Sequence, residues 1–226
     1  MRGWRELLIA WALFSLGAGV LAGFTIRWLW PAASWSSLAS TLALWIGMLV
    51  PIVMAFSRSR PVGLLRLRPL DLLYGVALGV FLRLFQGWVA TMADGGAPFP
   101  TFATMDGALP SSWFWREALP AGVIAPVIEE FFFRAVILVA MYTVLRRGFG
   151  KMTAGLAAAL VSTALFVVLH TVSGTLGIDA VVSLGAVGLT CAALVLLTGR
   201  IWAAVIVHVV YNSMYLLLGL VGTFAG

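Results

Sequence analysis

Long apolar runs dominate the chain, and short polar stretches separate them. An α-helix needs about 20 mainly apolar residues to cross the hydrocarbon core of a bilayer. Seven runs come close to that length or exceed it, and together they occupy most of the chain. They lie at residues 7–26, 37–56, 72–93, 119–142, 154–173, 180–197 and 201–222. This pattern predicts an all-α fold, a polytopic bundle of about seven transmembrane helices.

The predicted spans leave no room for a separate soluble domain, so residues 1–226 are expected to form a single integral membrane domain. The longest connection, 94–118, is rich in Gly and Pro and carries Trp113 and Trp115. Because tryptophan is enriched where a membrane meets water, we expect an interfacial segment there.

The composition agrees with this interpretation. Apolar residues make up 62% of the chain and charged residues only 10%, whereas soluble domains are about half apolar and about a quarter charged. This balance excludes a disordered chain, a nucleic-acid-binding domain and an ordinary cytosolic enzyme. The net charge of +6 is then a property of membrane-protein loops, not of a nucleic-acid-binding surface. The single cysteine, Cys191, permits neither a disulfide framework nor a zinc–cysteine cluster.

Positive charges fall mainly on one side of the predicted membrane. The opposite side receives only Arg27 and Arg116. The ten residues on the N-terminal side are Arg2, Arg5, Arg58, Arg60, Arg66, Arg68, Arg146, Arg147, Lys151 and Arg200. Since cytoplasmic loops of membrane proteins are enriched in Lys and Arg, the N-terminus is predicted to be cytoplasmic.

The fourth predicted span contains charged residues in an otherwise apolar run. Each ionisable group at mid-membrane costs about 2.5–3.5 kcal/mol, so such residues need a partner or a function. Glu130 and Arg134 are four residues apart and share a helical face, which allows them to pair. Glu129 points about 100° away from Glu130. One carboxylate can therefore be held by the arginine while the other stays available as a general base.

Both histidines of the chain also lie in apolar runs. His170 follows Phe166 by four residues, and Asn212 follows His208 by four, so each pair shares a helical face. Helix bundles build sites from inward side chains of this kind on facing helices. The same residues can also have a structural role, in which their side chains form hydrogen bonds between helices.

Two structural alternatives stay open. The Glu130–Arg134 pair is equally consistent with an ion pair that only locks helix packing. In the third span, Arg83 and Gln86 are either a substrate contact or a second structural pair. We favour a structural role for Arg83, whose partner the sequence does not identify.

Three motifs occur in order: Glu-Glu-x-x-x-Arg, Phe-x-x-x-His and His-x-x-x-Asn. This ordered set resembles the CAAX-protease and bacteriocin-processing (CPBP) family of intramembrane endopeptidases. The resemblance covers residues 119–216, predicted to be the catalytic helices, while 1–118 supplies the N-terminal spans. The motif positions are Glu129, Glu130, Arg134, Phe166, His170, His208 and Asn212.

The resemblance implies a proteolytic site. Glu129 and His170 correspond to the residues that activate water, and His208 and Asn212 to the pair that stabilises the oxyanion. Amide hydrolysis requires both a base beside a water and donors aimed at the developing negative oxygen.

Glu130 and Arg134 correspond to the supporting residues of the first motif.

The cofactor question has two answers. Two histidines and a glutamate could hold a catalytic zinc, but the chain has no His-Glu-x-x-His helix. We therefore expect a glutamate mechanism without a cofactor, with a zinc metalloprotease as the alternative.

The predicted function is hydrolysis of a peptide bond in a membrane-associated, prenylated or otherwise hydrophobic peptide. The expected partners are that peptide or protein substrate and membrane lipid, not nucleic acid, and the expected location is a bacterial inner membrane. The main alternative is a non-enzymatic membrane protein that binds a partner or gives immunity and keeps the protease fold. A small transporter ranks last, because we find no paired repeats with broken helices.

The predicted span boundaries do not by themselves bring the site together. At ~1.5 Å per residue, Glu130 lies roughly 15 Å from either face, and His170 roughly 24 Å from the cytoplasmic face. Helix tilt, which averages about 20°, or a later start of the fifth span would have to close the gap. The expected convergence therefore comes from the resemblance.

Overall fold

A computed structural model describes residues 3–59, 61–94, 99–172, 174 and 176–225. Two of the predicted cytoplasmic residues, Arg2 and Arg60, lie outside these ranges. Six helices of the described part are long and apolar enough to cross a membrane, which confirms an all-α integral membrane protein. The helices are α1 (Gly3–Leu29), α2 (Ser36–Arg58), α3 (Pro69–Asp94), α4 (Phe114–Thr171), α5 (Ile178–Thr198) and α6 (Trp202–Phe224).

Helix α4 accounts for two of the predicted spans. Its 58 residues would extend about 87 Å as one straight helix, far more than a bilayer of about 30 Å accommodates. Gly150 interrupts it with φ 76° and ψ 173°, a left-handed φ that favours glycine. The second arm, 151–171, folds back on the first arm, 114–149. The two arms are in contact where Ser162 Oγ donates to the Phe133 carbonyl at 2.9 Å. Counting the two arms separately gives the predicted seven spans.

The first arm of α4 is irregular around the motif. It contains π-helical stretches at Phe114–Ala118, Pro120–Ile124 and Phe131–Leu138, and α-helical geometry at Ala125–Glu130 and from Val139 onward. Single π-helical turns recur at functional sites. The third stretch starts directly after Glu130, and seven consecutive residues within it, 132–138, are buried.

Helices α1 and α2 form a close pair that supports the back of α4. They touch at Gly19 and Gly47, where an added Cβ would lie 2.8 and 2.7 Å from carbonyl oxygens of the opposite helix. Ser15 Oγ also donates to the Gly47 carbonyl at 2.7 Å. Small residues at such a crossing let membrane helices approach closely. The pair packs its buried apolar residues against Phe132, Phe133 and other residues of α4.

Helix α3 packs along α6 through residues spaced four apart. Asp71, Gly75, Gly79 and Arg83 are all buried, as expected for one helical face. An added Cβ at Gly79 would lie 2.8 Å from Val210 of α6. Glycine at this position therefore lets the two helices touch.

The turn between α5 and α6 is tied to the first turn of α3 and to the segment before it. Asp71 is fully buried and accepts hydrogen bonds from Arg200 Nε at 2.9 Å and Nη2 at 2.8 Å. Ile201 N–H donates to the Leu64 carbonyl at 3.0 Å. These contacts fix the point at which α6, the helix that carries His208, begins.

The connection before α4 packs against α6, and its position at the membrane interface stays a prediction. Its described part, 99–113, packs on the C-terminal half of α6, where Phe102 N–H donates to Thr223 Oγ1 at 2.8 Å. Trp113 stacks edge-on against Phe102, with ring centroids 5.1 Å apart. The helix then begins at Phe114, five residues before the predicted start, so Trp115 belongs to α4. The prediction placed this boundary too late because it followed hydropathy alone.

The charged ends of several helices gather at one end of the bundle. Arg5 and Arg58 line one cavity of about 450 Å³, and Arg147 lies 3.8 Å from Glu6. This gathering agrees with the predicted sidedness of the positive residues. The side of the membrane that this end faces stays a prediction.

Candidate active site

Three helical segments meet around the Glu129 carboxylate. Glu129 lies on the first arm of α4, His170 on its second arm, and His208 on α6. Glu129 Oε2 is 3.9 Å from His170 Nε2 and 3.8 Å from His208 Nε2. These separations exceed a direct hydrogen bond and are of the size at which a bridging water has to be considered.

Glu130 and Arg134 form the buried base of the site. Both side chains are fully buried, and Arg134 Nη1 lies 3.1 Å from Glu130 Oε1. The predicted pairing at four-residue spacing is confirmed. The same Glu130 oxygen lies 3.0 Å from His208 Nδ1. Glu130 therefore orients the His208 ring, so that its other nitrogen faces Glu129.

His170 has its tautomer set by its own helix. Its Nδ1 lies 2.9 Å from the Phe166 carbonyl oxygen, which can only accept, so Nδ1 carries the hydrogen and donates. In the neutral ring, Nε2 then presents a lone pair toward Glu129. The His170 side chain is 30% exposed and that of Glu129 13% exposed. The open side of the site is thus at these two residues.

Phe166 is the shared wall of the site. Its ring centroid lies 4.5 Å from that of His170 and 5.5 Å from that of His208. The Arg134 guanidinium lies 4.7 Å from the same ring centroid, a cation–π geometry. Arg134 also donates to the Gly188 carbonyl of α5 at 3.2 Å. The aromatic position of the second motif therefore packs against three of the predicted site residues.

The position of His170 along α4 differs from the one that the predicted span boundaries gave. Glu130 precedes Gly150 by 20 residues and His170 follows it by 20, so each is about 30 Å of helix from the turn. The predicted first arm ended at residue 142, whereas the helix continues through 149. Ending the arm too early made His170 seem out of register with Glu130.

Asn212 lies at the edge of this group. It follows His208 by one turn of α6, and its Nδ2 donates to the Ala121 carbonyl at 2.8 Å. That contact joins α6 to the π-helical stretch Pro120–Ile124. The structure links the other five predicted residues through a chain of pairwise contacts, while Asn212 has Ala121 as its hydrogen-bond partner.

Arg83 donates to Gln86, the residue named beside it in the sequence analysis, and to a second partner that the sequence analysis missed. Its Nε and Nη2 donate to the main-chain carbonyl of Tyr211 at 3.1 and 3.0 Å. Tyr211 lies between His208 and Asn212 in the sequence. No residue pattern signals a contact to a main-chain carbonyl, so the sequence could not have found it.

The donor set does not have the spacing of a zinc site. In tetrahedral zinc centres with bonds of 2.0–2.1 Å, neighbouring nitrogen and oxygen ligands are about 3.3–3.4 Å apart. The separations from Glu129 to the two histidines are larger, at 3.8 and 3.9 Å. Across the described residues, no three His, Cys, Asp or Glu side chains are grouped to hold a metal ion. The absence of a metal from the reaction stays a prediction.

Comparison with known families agrees with this geometry. Residues 111–214 match the family of type II CAAX prenyl endopeptidase Rce1-like proteins. The matched region is Rce1-like. The match confirms, for this part of the chain, the resemblance seen in the three motifs. No curated protein and no solved structure matches the chain significantly.

The Rce1-like region contains all six predicted site residues, and it ends two residues after Asn212. Helices α1, α2 and α3 lie outside it. Arg83, which contacts the backbone of α6, is therefore contributed by a part of the chain that the family match does not cover.

Proposed function

We propose that the protein is an intramembrane endopeptidase whose Glu129 and His170 activate a water for attack on a peptide bond. The observation that carries this proposal is the position of Glu129 Oε2, within 4 Å of Nε2 of both His170 and His208. A carboxylate between two imidazoles is poorly explained as packing, because each such group is costly to place in a membrane.

In the proposed reaction, Glu129 takes a proton from the water while the water oxygen forms a bond to the carbonyl carbon. The electron pair of the C=O double bond moves to the carbonyl oxygen. When the C–N bond breaks, the leaving nitrogen receives the proton held by Glu129. His170, with its lone pair at Nε2, holds the water in line with this transfer.

His208 is proposed to stabilise the oxyanion. Its Nδ1 faces the Glu130 carboxylate at 3.0 Å, and its Nε2, on the side of Glu129, is the atom that we assign to the oxyanion. Arg134 holds Glu130 in place at 3.1 Å. Asn212 uses one amide hydrogen on Ala121, and its second is the further donor that we assign to the oxyanion.

The proposed substrate is a prenylated or otherwise hydrophobic peptide that reaches the site from the membrane. The exposed side of the site, at His170 and Glu129, is where such a chain would enter. A bacterial inner membrane is the proposed location.

A cleavage assay tests this function. The purified protein in lipid nanodiscs is incubated with a library of hydrophobic peptides, half of them prenylated, and the products are identified by mass spectrometry. We expect fragments that arise from an internal cut. Folded protein that leaves both halves of the library intact would contradict the proposal and favour a partner-binding protein.

Metal chelation gives a separate prediction. Since the glutamate mechanism uses no metal, kcat/KM for a cleaved peptide should stay unchanged after incubation with o-phenanthroline. Protein treated identically but then supplied with Zn²⁺ is the control. A loss of about tenfold or more that Zn²⁺ reverses would show instead that a metal takes part.

A further inference from the structure

We propose that Arg83 is a positioning residue: by holding the main chain of α6, it fixes the rotation of that helix and so aims His208 at Glu130. The part of this proposal that concerns catalysis rests on the proposed protease function. The part that concerns the His208 ring does not.

Close packing brings Arg83 to α6. It is the last of the four buried residues of α3 spaced four apart, after Asp71, Gly75 and Gly79. A Cβ at Gly75 would overlap the Ile206 side chain of α6. Because these glycines let the helices touch, the arginine side chain reaches the backbone of the neighbouring helix.

Arg83 contacts one turn of α6 through the main chain of that helix and through its tyrosine side chains. Two of its nitrogens donate to the Tyr211 carbonyl, at 3.1 and 3.0 Å. Its third nitrogen donates to Gln86 Oε1, which also accepts the Tyr211 hydroxyl at 2.7 Å. The guanidinium lies 3.9 Å from the Tyr211 ring centroid and 5.2 Å from that of Tyr215. Backbone and side chain of Tyr211 are thus held together.

These contacts favour positioning over substrate binding. Arg83 is only 7% exposed, and each of its three nitrogens already donates within the protein. Tyr211 is three residues after His208 and one before Asn212. Since an α-helix has 3.6 residues per turn, Tyr211 and His208 lie within one turn of α6. A rotation of α6 about its axis would therefore move both residues and swing the His208 ring away from Glu130. A bond to the main chain resists that rotation whatever rotamer the side chains adopt.

The first test observes His208 directly. The chain contains only two histidines, so imidazole ¹⁵N–¹H spectra of labelled protein contain two sets of signals, which a His170→Gln variant assigns. In Arg83→Met, we expect the His208 Nδ1 proton signal to shift and broaden, because its hydrogen bond to Glu130 lengthens. Thr91→Val is the matched control: it removes an exposed hydrogen bond within α3, to the Gly87 carbonyl, two turns after Arg83, and should leave the signal in place.

The second test uses the peptide-cleavage assay. For Arg83→Met we expect kcat to fall about 10- to 100-fold, the size of effect that slight misplacement of a catalytic group produces, with KM unchanged. Arg83→Lys keeps the charge but has a single donor nitrogen, so its kcat should fall between those of wild type and Arg83→Met. If the Met variant does not fold, the Lys variant gives the result by both readouts.

Each contrary outcome is distinguishable. An unmoved His208 signal in the Arg83 variants would overturn the proposal, as would an equal shift in Thr91→Val. A raised KM with kcat retained would make Arg83 a substrate-binding residue instead. A shifted His208 signal in a protein that cleaves no peptide, wild type included, would support the positioning and contradict the protease function.

Discussion

Replacing Glu129 with Gln is expected to lower kcat for peptide cleavage by about 10²–10⁴-fold, the usual contribution of a general base. Glutamine has nearly the same shape but cannot accept the proton of the attacking water. Because the side chain is 13% exposed and makes no ion pair shorter than 3.8 Å, the fold should tolerate the change. Single-turnover cleavage with saturating enzyme measures the effect without interference from product release.

Glu117→Gln is the matched control for this prediction. Glu117 is an exposed carboxylate on the same arm of α4, twelve residues before Glu129. The Glu117→Gln variant should cleave peptide at the wild-type rate. Full activity in Glu129→Gln would remove the proposed base from the mechanism. A membrane protein that acts only by binding a partner would keep its biological effect with this substitution.

Local spacing in the sequence predicted the centre of the site well. Four residues separate Glu130 from Arg134, and the buried pair forms as the helical period requires. The same reasoning places His208 and Asn212 on one face of α6. Such predictions succeed because they depend only on the geometry of a single helix.

Contacts between helices were harder to predict. Whether His170 reaches Glu129 depends on where α4 turns, and hydropathy ended the first arm at residue 142, seven residues before the helix does. Gly150 ends the first arm with its left-handed φ, and the polar residues just before it conceal that the helix continues through 149. The convergence was therefore predicted from the family motifs and not from the spacing.

Arg83 marks a further limit of sequence analysis. An arginine in an apolar run predicts a partner. Two of the Arg83 nitrogens donate to the main-chain carbonyl of Tyr211, a kind of group that every residue of the chain possesses. Only the packing of α3 on α6 selects that carbonyl. The motifs of the Rce1-like region carry no information on this, because α3 lies outside the matched residues.

Arg134→Met is expected to destabilise the fold more than any other substitution considered. The change leaves the fully buried Glu130 carboxylate without its cation and also removes the hydrogen bond to the Gly188 carbonyl. Breaking a buried ion pair by deleting one partner typically costs about 3–5 kcal/mol. Reversible unfolding in mixed micelles with increasing dodecyl sulfate, followed by circular dichroism, measures the change in unfolding free energy.

Two further variants show whether the effect comes from the unpaired charge. Arg147→Met breaks an exposed pair with Glu6 at 3.8 Å and should change stability by less than about 1 kcal/mol. Adding Glu130→Gln to Arg134→Met removes the buried charge, so the double variant should be more stable than the single one. It should nevertheless stay inactive, because His208 loses the carboxylate that orients it. If Arg134→Met unfolds no more easily than Arg147→Met, the pair does not support the fold, and its burial would have to be explained by catalysis alone.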